Sequence, residues 1–270
     1  MQMKRGFALT VASLLLGTTL TACGGGNVGQ APAPNNGGGS APQAKEYVVG
    51  TDAAYAPFES ETEKKEIVGF DIDLLKAVAD KAGFKVKFVN TPWEGIFTAL
   101  QNGERDMLIS AITITDDRKK DMDFSDPYFE AKQLIAVSKD SKIAKFDDLK
   151  GKKVGVQTGT TGDEVVTKLL GKDSPDIKRF ESTPLALKEL QNGGVEAVVA
   201  DNGVVINYVK NNTAQGFKMV DDPAFEKEYY GIAVKKGNTD VLNKVNDGLK
   251  KIKSDGTYDK IYEQYFGKKQ

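Results

Sequence analysis

The chain reads as an α/β protein built from two similar halves, each a mostly parallel sheet covered by helices. Three observations predict this. Short β-type runs alternate with helical patterns along the body of the sequence, the order that gives parallel sheets flanked by helices. The letters LQNG occur twice, in TPWEGIFTALQNGERDMLISAITIT from Thr91 and in TPLALKELQNGGVEAVVADNGV from Thr183, each time after Thr-Pro and before an apolar run. Finally, VVGTD ahead of the first copy has a counterpart in KVGVQ ahead of the second, so both halves follow one βαβ order.

The elements follow in turn. YVVGT (47–51) is a strand, and VGFDIDLLKAVADKAG places Phe70, Leu74, Leu75, Val78 and Ala82 on one helical face that Gly83 ends. KVKFVN alternates as a strand. Thr91 then serves as N-cap and Pro92 as first turn of a helix carrying Trp93, Ile96, Phe97 and Leu100 at helical spacings. Asn102-Gly103 stops it, and DMLISAIT is a buried strand. LIAVSKD begins the second half, where KKVGVQ, IKRFES and VEAVVADN are strands and the segments after GTT and after Ser182 are helices. One amphipathic helix, VLNKVNDGLKKIKSDGTYDKIYEQYFG, closes the chain.

The N-terminal residues lie outside this pattern. Lys4 and Arg5, the apolar stretch Phe7–Leu16 and the small residues before Cys23 make residues 1–22 a secretory signal peptide, its apolar part too short to span a bilayer. Leu20-Thr21-Ala22-Cys23 resembles a bacterial lipobox, which implies lipidation of Cys23. Residues 23–44, rich in Gly, Pro, Asn and Ser, read as a flexible tether.

Composition excludes much chemistry. There is no histidine and one cysteine, so Ser-His-Asp and Cys-His catalysis and the usual zinc sites are out of reach. No phosphate loop and no EF-hand calcium loop occurs, and neither a metal nor another cofactor is expected. Without residues 1–22 the chain carries 35 basic and 38 acidic residues, a net charge of −3, with nothing to suggest a nucleic-acid partner.

In open parallel sheets ligands bind beyond the carboxyl ends of the strands. Here those ends carry Thr51-Asp52 with Tyr55 and Phe58 following, Ser110-Ala111-Ile112-Thr113, Gln157-Thr158-Gly159-Thr160-Thr161, and Asp201-Asn202. Hydroxyls, backbone N–H groups and carboxylates abound, and no nucleophile has a base beside it. That composition suits a binding cleft.

The blocks GTDAAYAPFES, GFDIDLLKAVADKAG, ISAITITDDRKKDMDFSDPYF and GKKVGVQTGTTGD, in this order, resemble the solute-binding proteins of polar amino-acid ABC transporters. The resemblance covers Lys45 to Gly267 and implies the two-lobed periplasmic-binding-protein fold. Its two mostly parallel sheets would be joined by a two-strand hinge near Tyr128–Lys132 and Glu226–Gly231. Lobe 1 would comprise 45–130 plus 229–270 and lobe 2 residues 131–228. The implied partners are a free L-amino acid and a membrane permease, with a monomer held at the extracytoplasmic face by its lipid anchor.

The residue roles also follow from chemistry. Arg118, five residues past Thr113, offers paired charge-assisted hydrogen bonds to an α-carboxylate, joined by Thr113 and the N–H groups of Ala111 and Thr161. Asp201 ends an apolar strand and suits an α-ammonium, or caps the helix that follows. The resemblance implies that Asp52 takes the ligand's side-chain nitrogen, with Tyr55, Phe58 and Trp93 as aromatic walls; Trp93 and Phe58 serve equally as core. Gln157 reaches the far end of the ligand, and Glu59 is solvated. Ligand α-groups cancel Arg118 and Asp201, which leaves Asp52 to select a cation: arginine, lysine, ornithine or histidine. Glutamine remains the alternative. A dehydratase on the same fold and a sensor docking on a receptor are further readings.

Overall fold

The computed structural model describes residues 44–268. The signal peptide, Cys23 and all of the tether but its last residue lie outside the described residues.

The chain begins with β1 (Glu46–Thr51), followed by a small antiparallel flap of β2 (Ala54–Tyr55), β3 (Glu59–Glu61) and β4 (Ile67–Val68). Next come α1 (Phe70–Ala82), β5 (Lys85–Asn90), α2 (Trp93–Gln101) and β6 (Met107–Leu108). A single helical turn, α3 (Arg118–Asp121), leads to β7 (Met122–Phe124), β8 (Phe129–Ala131) and β9 (Gln133–Ser138). The second half contains β10 (Val154–Gln157), α4 (Thr161–Leu170), β11 (Ile177–Phe180), α5 (Thr183–Asn192), β12 (Ala197–Asp201), α6 (Asn202–Asn211) and β13 (Phe217–Val220). The chain ends with β14 (Glu228–Tyr230), β15 (Ala233–Lys235), α7 (Thr239–Ser254) and α8 (Thr257–Phe266).

Two five-stranded sheets have the same plan. One has the order β5-β1-β6-β15-β7 and the other β11-β10-β12-β9-β13. In each, the first three strands are parallel and the last two join antiparallel. The duplication reaches single residues. Gly50 stands opposite Leu108 and Gly155 opposite Val198 in equivalent parallel pairs. A methyl on Gly50 would lie 2.7 Å from Leu108, and one on Gly155 3.2 Å from Val198. The repeated Gly and the repeated LQNG-strand are therefore two sides of one packing contact. Between the sheets the chain passes out through β8 and back through β14, which pair antiparallel.

Each sheet has its own core. In the first, Phe70, Leu74 and Val78 of α1 pack with Val241, Val245, Leu249 and Ile252 of α7 and Tyr258 of α8. Gly248 lets α7 approach closely, since a Cβ there would stand 2.5 Å from the Val78 carbonyl oxygen.

The structure departs from the sequence reading at three elements. The closing helix is two, broken at Asp255-Gly256, where Gly256 takes φ 78°. Thr91 does not cap α2: its hydroxyl donates to the Val89 carbonyl and accepts from Arg105. DMLISAIT pairs as a strand only at Met107–Leu108. Beyond it the chain leaves the sheet, with Ala111 at φ 48°, although Ser110–Thr113 stay buried.

Candidate ligand-binding site

The carboxyl ends of β1, β6, β10 and β12 meet at a small, narrow cavity. Its walls are Asp52, Tyr55, Trp93, Ser110, Ala111, Thr113, Arg118, Gln157, Thr160, Thr161 and Asp201.

Residues from both sheets touch across it. Tyr55 donates its hydroxyl to Asp201 at 2.9 Å, Gln157 donates to Asp52 at 3.2 Å, and Arg118 reaches the Gly159 carbonyl at 3.4 Å. The two halves are thus closed on each other.

Arg118 is not a surface residue of the charged DDRKKD run. Its guanidinium lies 5.4 Å from the Trp93 ring centre and 5.2 Å from that of Phe97, and it donates to the Thr113 carbonyl at 2.9 Å. Burial lowers its pKa, and the charges of Glu164, Asp201 and Glu228 act in the opposite sense. Two of its five N–H groups go to backbone carbonyls, which leaves donors for an anion. The N-terminus of α4 lies on the same side of the cavity, and the N–H of Thr161 has no partner within its helix.

Asp201 holds the N-cap position of α6 but its side chain makes no capping bond. The carboxylate turns to the cavity instead. It accepts from Tyr55, from Tyr230 at 2.6 Å and from Gln133 at 2.6 Å. Burial first, then the Glu228 charge, pushes its pKa up to about 6 against the pull of these three donors. Asp52 is likewise raised by burial, with hydrogen bonds from Gln157 and the Trp93 N–H pulling it back. Those donors are neutral dipoles, so the charge of Asp52 has no cation to meet it.

Several expected contacts are spent within the protein. The Ala111 N–H donates to Asp71 at 2.8 Å, which holds the residue's left-handed backbone and takes that donor away from any ligand carboxylate. Ser110 accepts from the Asp52 N–H and donates to Glu59. Gln157 is fully engaged: it donates to Asp52 and the Glu181 carbonyl and accepts twice from Thr183. It therefore joins the two halves rather than reaching a ligand's far end. Thr158 is exposed, bonds the Phe180 carbonyl and does not line the cavity, whereas Thr160 does. Phe58 is fully buried, packed against Phe70, Phe129, Tyr230 and Phe266. It backs Tyr55, with ring centres 6.2 Å apart, instead of walling the cavity.

Glu59 is not solvated either. It is fully buried, as is Asp71, whose charge acts on it. Glu59 Oε2 and Asp71 Oδ1 accept no hydrogen bond. Two neighbouring buried carboxylates only accept and repel when both are ionised, which favours a retained proton. Burial raises both groups, Glu59 far above the usual range and Asp71 to about 7.

Two participants escaped the sequence reading. Gln133 opens the apolar run QLIAVS, a polar residue where alternation gave no reason for one, and it is buried between Asp201 and Glu228. Glu228 is one of four acids in the stretch DDPAFEKEYY, with Asp221, Asp222 and Glu226, and nothing local distinguishes it. Among the described residues no cluster of His, Cys, Asp and Glu could hold a metal ion, and no helix is long and apolar enough to cross a membrane.

Two lobes of one plan, closed over a small polar cavity and joined by paired crossing strands, are the architecture of a solute-binding protein. The chain belongs to the bacterial extracellular solute-binding proteins, family 3, whose pattern matches residues 47–268. The probable histidine-binding protein of Neisseria gonorrhoeae is 50% identical over 270 residues, covering 99% of this chain and 97% of the relative. The ABC transporter arginine-binding protein 1 of Escherichia coli K12 is 36% identical over 227 residues, covering 83% of this chain and 91% of the relative. The crystal structure of the arginine-, lysine-, histidine-binding protein ArtJ of Geobacillus stearothermophilus matches with a TM-score of 0.80 at 50% identity, covering 84% of this chain and 97% of that one.

Proposed function

We propose that this chain captures a free amino acid with a basic side chain (arginine, lysine, ornithine or histidine) and delivers it to an ABC permease. The observation that carries the reading is the charge count of the cavity, two carboxylates against one guanidinium. A zwitterionic ligand sets its carboxylate on Arg118 and the α4 N-terminus and its ammonium on Asp201. Asp52 then sits buried without a counter-charge, a costly state that a positive side chain relieves. The ring of Tyr55 offers such a side chain a face, worth roughly 0.5–2 kcal/mol. The names of the relatives support this reading.

Capture works by closure of lobe 1 (45–130 plus 229–270) on lobe 2 (131–228). The ligand touches groups of both lobes, so it binds the closed form better and shifts the population toward it. The permease reads that closed form. Cys23, lipidated at the end of its tether, keeps the protein at the extracytoplasmic face of the membrane. The protein is a carrier and not an enzyme: each cavity carboxylate has a ligand charge to meet, and none is left as an acid for a leaving group.

The test is calorimetric titration of protein unfolded and refolded to strip bound amino acid, against the common amino acids and ornithine. Selective, saturable binding of basic amino acids is expected. Selectivity for glutamine, or no binding of any amino acid, overturns the proposal in its ligand or altogether.

A further inference from the structure

Glu228 sits on β14, one of the two crossing strands, behind the cavity wall and outside the cavity itself. Its Oε2 accepts the hydroxyl protons of Thr113 and Thr161, both at 2.7 Å. Its Oε1 accepts from Gln133 at 3.0 Å. Gln133 in turn gives its two hydrogens to acceptors only: Asp201 at 2.6 Å, Glu228, and Thr161 at 3.1 Å. The Gln133 amide cannot flip, because its oxygen would then face two carboxylates.

A threonine hydroxyl has one hydrogen and two lone pairs. Once the hydrogen is committed to Glu228, the oxygen that remains toward the cavity can only accept. Thr113 and Thr161 come from opposite lobes, and one carboxylate commits both. Sequence reasoning had Thr113 donating to the ligand carboxylate; the geometry removes that donor.

We propose that Glu228 is a positioning residue that sets the hydrogen-bond polarity of the cavity: it makes the Thr113 hydroxyl an acceptor, tied to Asp201 through Gln133, and so directs the ligand's ammonium group to these two residues. It acts through Thr113 and Gln133 and touches no ligand itself. The carboxylate end then falls to Arg118 and the N-terminus of α4. The proposal rests on the amino-acid reading above and adds to it the device that orients the zwitterion.

The experiment compares ligands that differ only in the ammonium group. Arginine and 5-guanidinopentanoate, and histidine and 3-(imidazol-4-yl)propanoate, are titrated into refolded wild type, Glu228→Gln, Thr113→Val and Thr113→Ser. A competition format reads weak binding. Glutamine at 228 can donate to a threonine oxygen and release its hydroxyl to turn round. Glu228→Gln is expected to weaken the amino acid about 10- to 100-fold while changing its des-amino analogue less than about 3-fold. Thr113→Val is expected to show the same split and Thr113→Ser to restore wild-type behaviour, and these two variants decide the matter if Glu228→Gln fails to fold. Equal losses for a ligand and its des-amino analogue overturn the proposal, since a merely structural glutamate, or a threonine that serves the carboxylate, affects both alike. Wild-type protein that binds none of arginine, lysine, ornithine and histidine overturns the reading beneath it, a result visible before any variant is made.

Discussion

Replacing Asp52 with asparagine separates charge from shape. In the structure Gln157 donates to Asp52 Oδ2 at 3.2 Å. An asparagine oxygen accepts from Gln157 as well, so the contact between the lobes survives. What disappears is one negative charge facing the cavity. Two unit charges 4 Å apart interact by about 4 kcal/mol at an effective dielectric constant of 20. Part of that is offset by desolvating the ligand cation, which leaves about 2–3 kcal/mol, or roughly 30- to 150-fold in Kd. Calorimetry on refolded protein should show this loss for arginine and lysine, with glutamine unchanged or tighter. Burial raises the Asp52 pKa, so acid should weaken basic amino acids more in wild type than in Asp52→Asn, where of these two carboxylates only Asp201, raised to about 6, still takes up a proton. Undiminished affinity for basic amino acids in the variant would show that Asp52 does not meet the side chain, and the charge argument would fall.

Arg118→Lys keeps the charge but loses the paired donors and the stacking on Trp93 and Phe97; we expect about 1.5–3 kcal/mol weaker binding of every amino acid, read by the same titration. The Glu59–Asp71 pair makes ligand-free stability fall as pH rises. The folded protein keeps a proton that the unfolded chain releases near its ordinary value of 3.8, so the contribution is complete below that value and lost as pH passes through about 7. Urea unfolding across this range should slope downward for wild type and flatten in Asp71→Asn, whose side-chain oxygen still accepts from the Ala111 N–H and the Tyr128 hydroxyl. Gly248→Ala should destabilise the first lobe by about 1–2 kcal/mol despite alanine's better helix propensity, because the new methyl would stand 2.5 Å from the Val78 carbonyl. A raised urea midpoint in that variant would contradict the close approach of α7 to α1.

The sequence by itself determined the α/β class, the duplication and the strand ends. Periods of 2 and 3.6 are local, and so are the Asn-Gly and Gly stops after α2 and α5. Gly50 and Gly155 recur because each parallel trio needs a residue without a side chain opposite the strand that follows LQNG. Once strand ends are known, Asp52, Thr113, Gln157 and Asp201 are assigned to one cavity by topology alone. The tertiary structure decided which atoms of these residues face it. Phe58 and Trp93 looked alike as aromatic neighbours of Asp52, yet one is core and the other wall. Asp201 looked as much like a helix cap as a ligand group, and only its bonds to Tyr55, Tyr230 and Gln133 turn it inward. Glu59 looked solvated until Asp71 and Ser110 closed around it. Glu228 meets Thr113 across 115 positions and Thr161 across 67. The physical reason is the same throughout: secondary structure depends on neighbours a few residues away, whereas a hydroxyl has one proton to give, and its recipient is set by whatever part of the chain the fold brings within 3 Å.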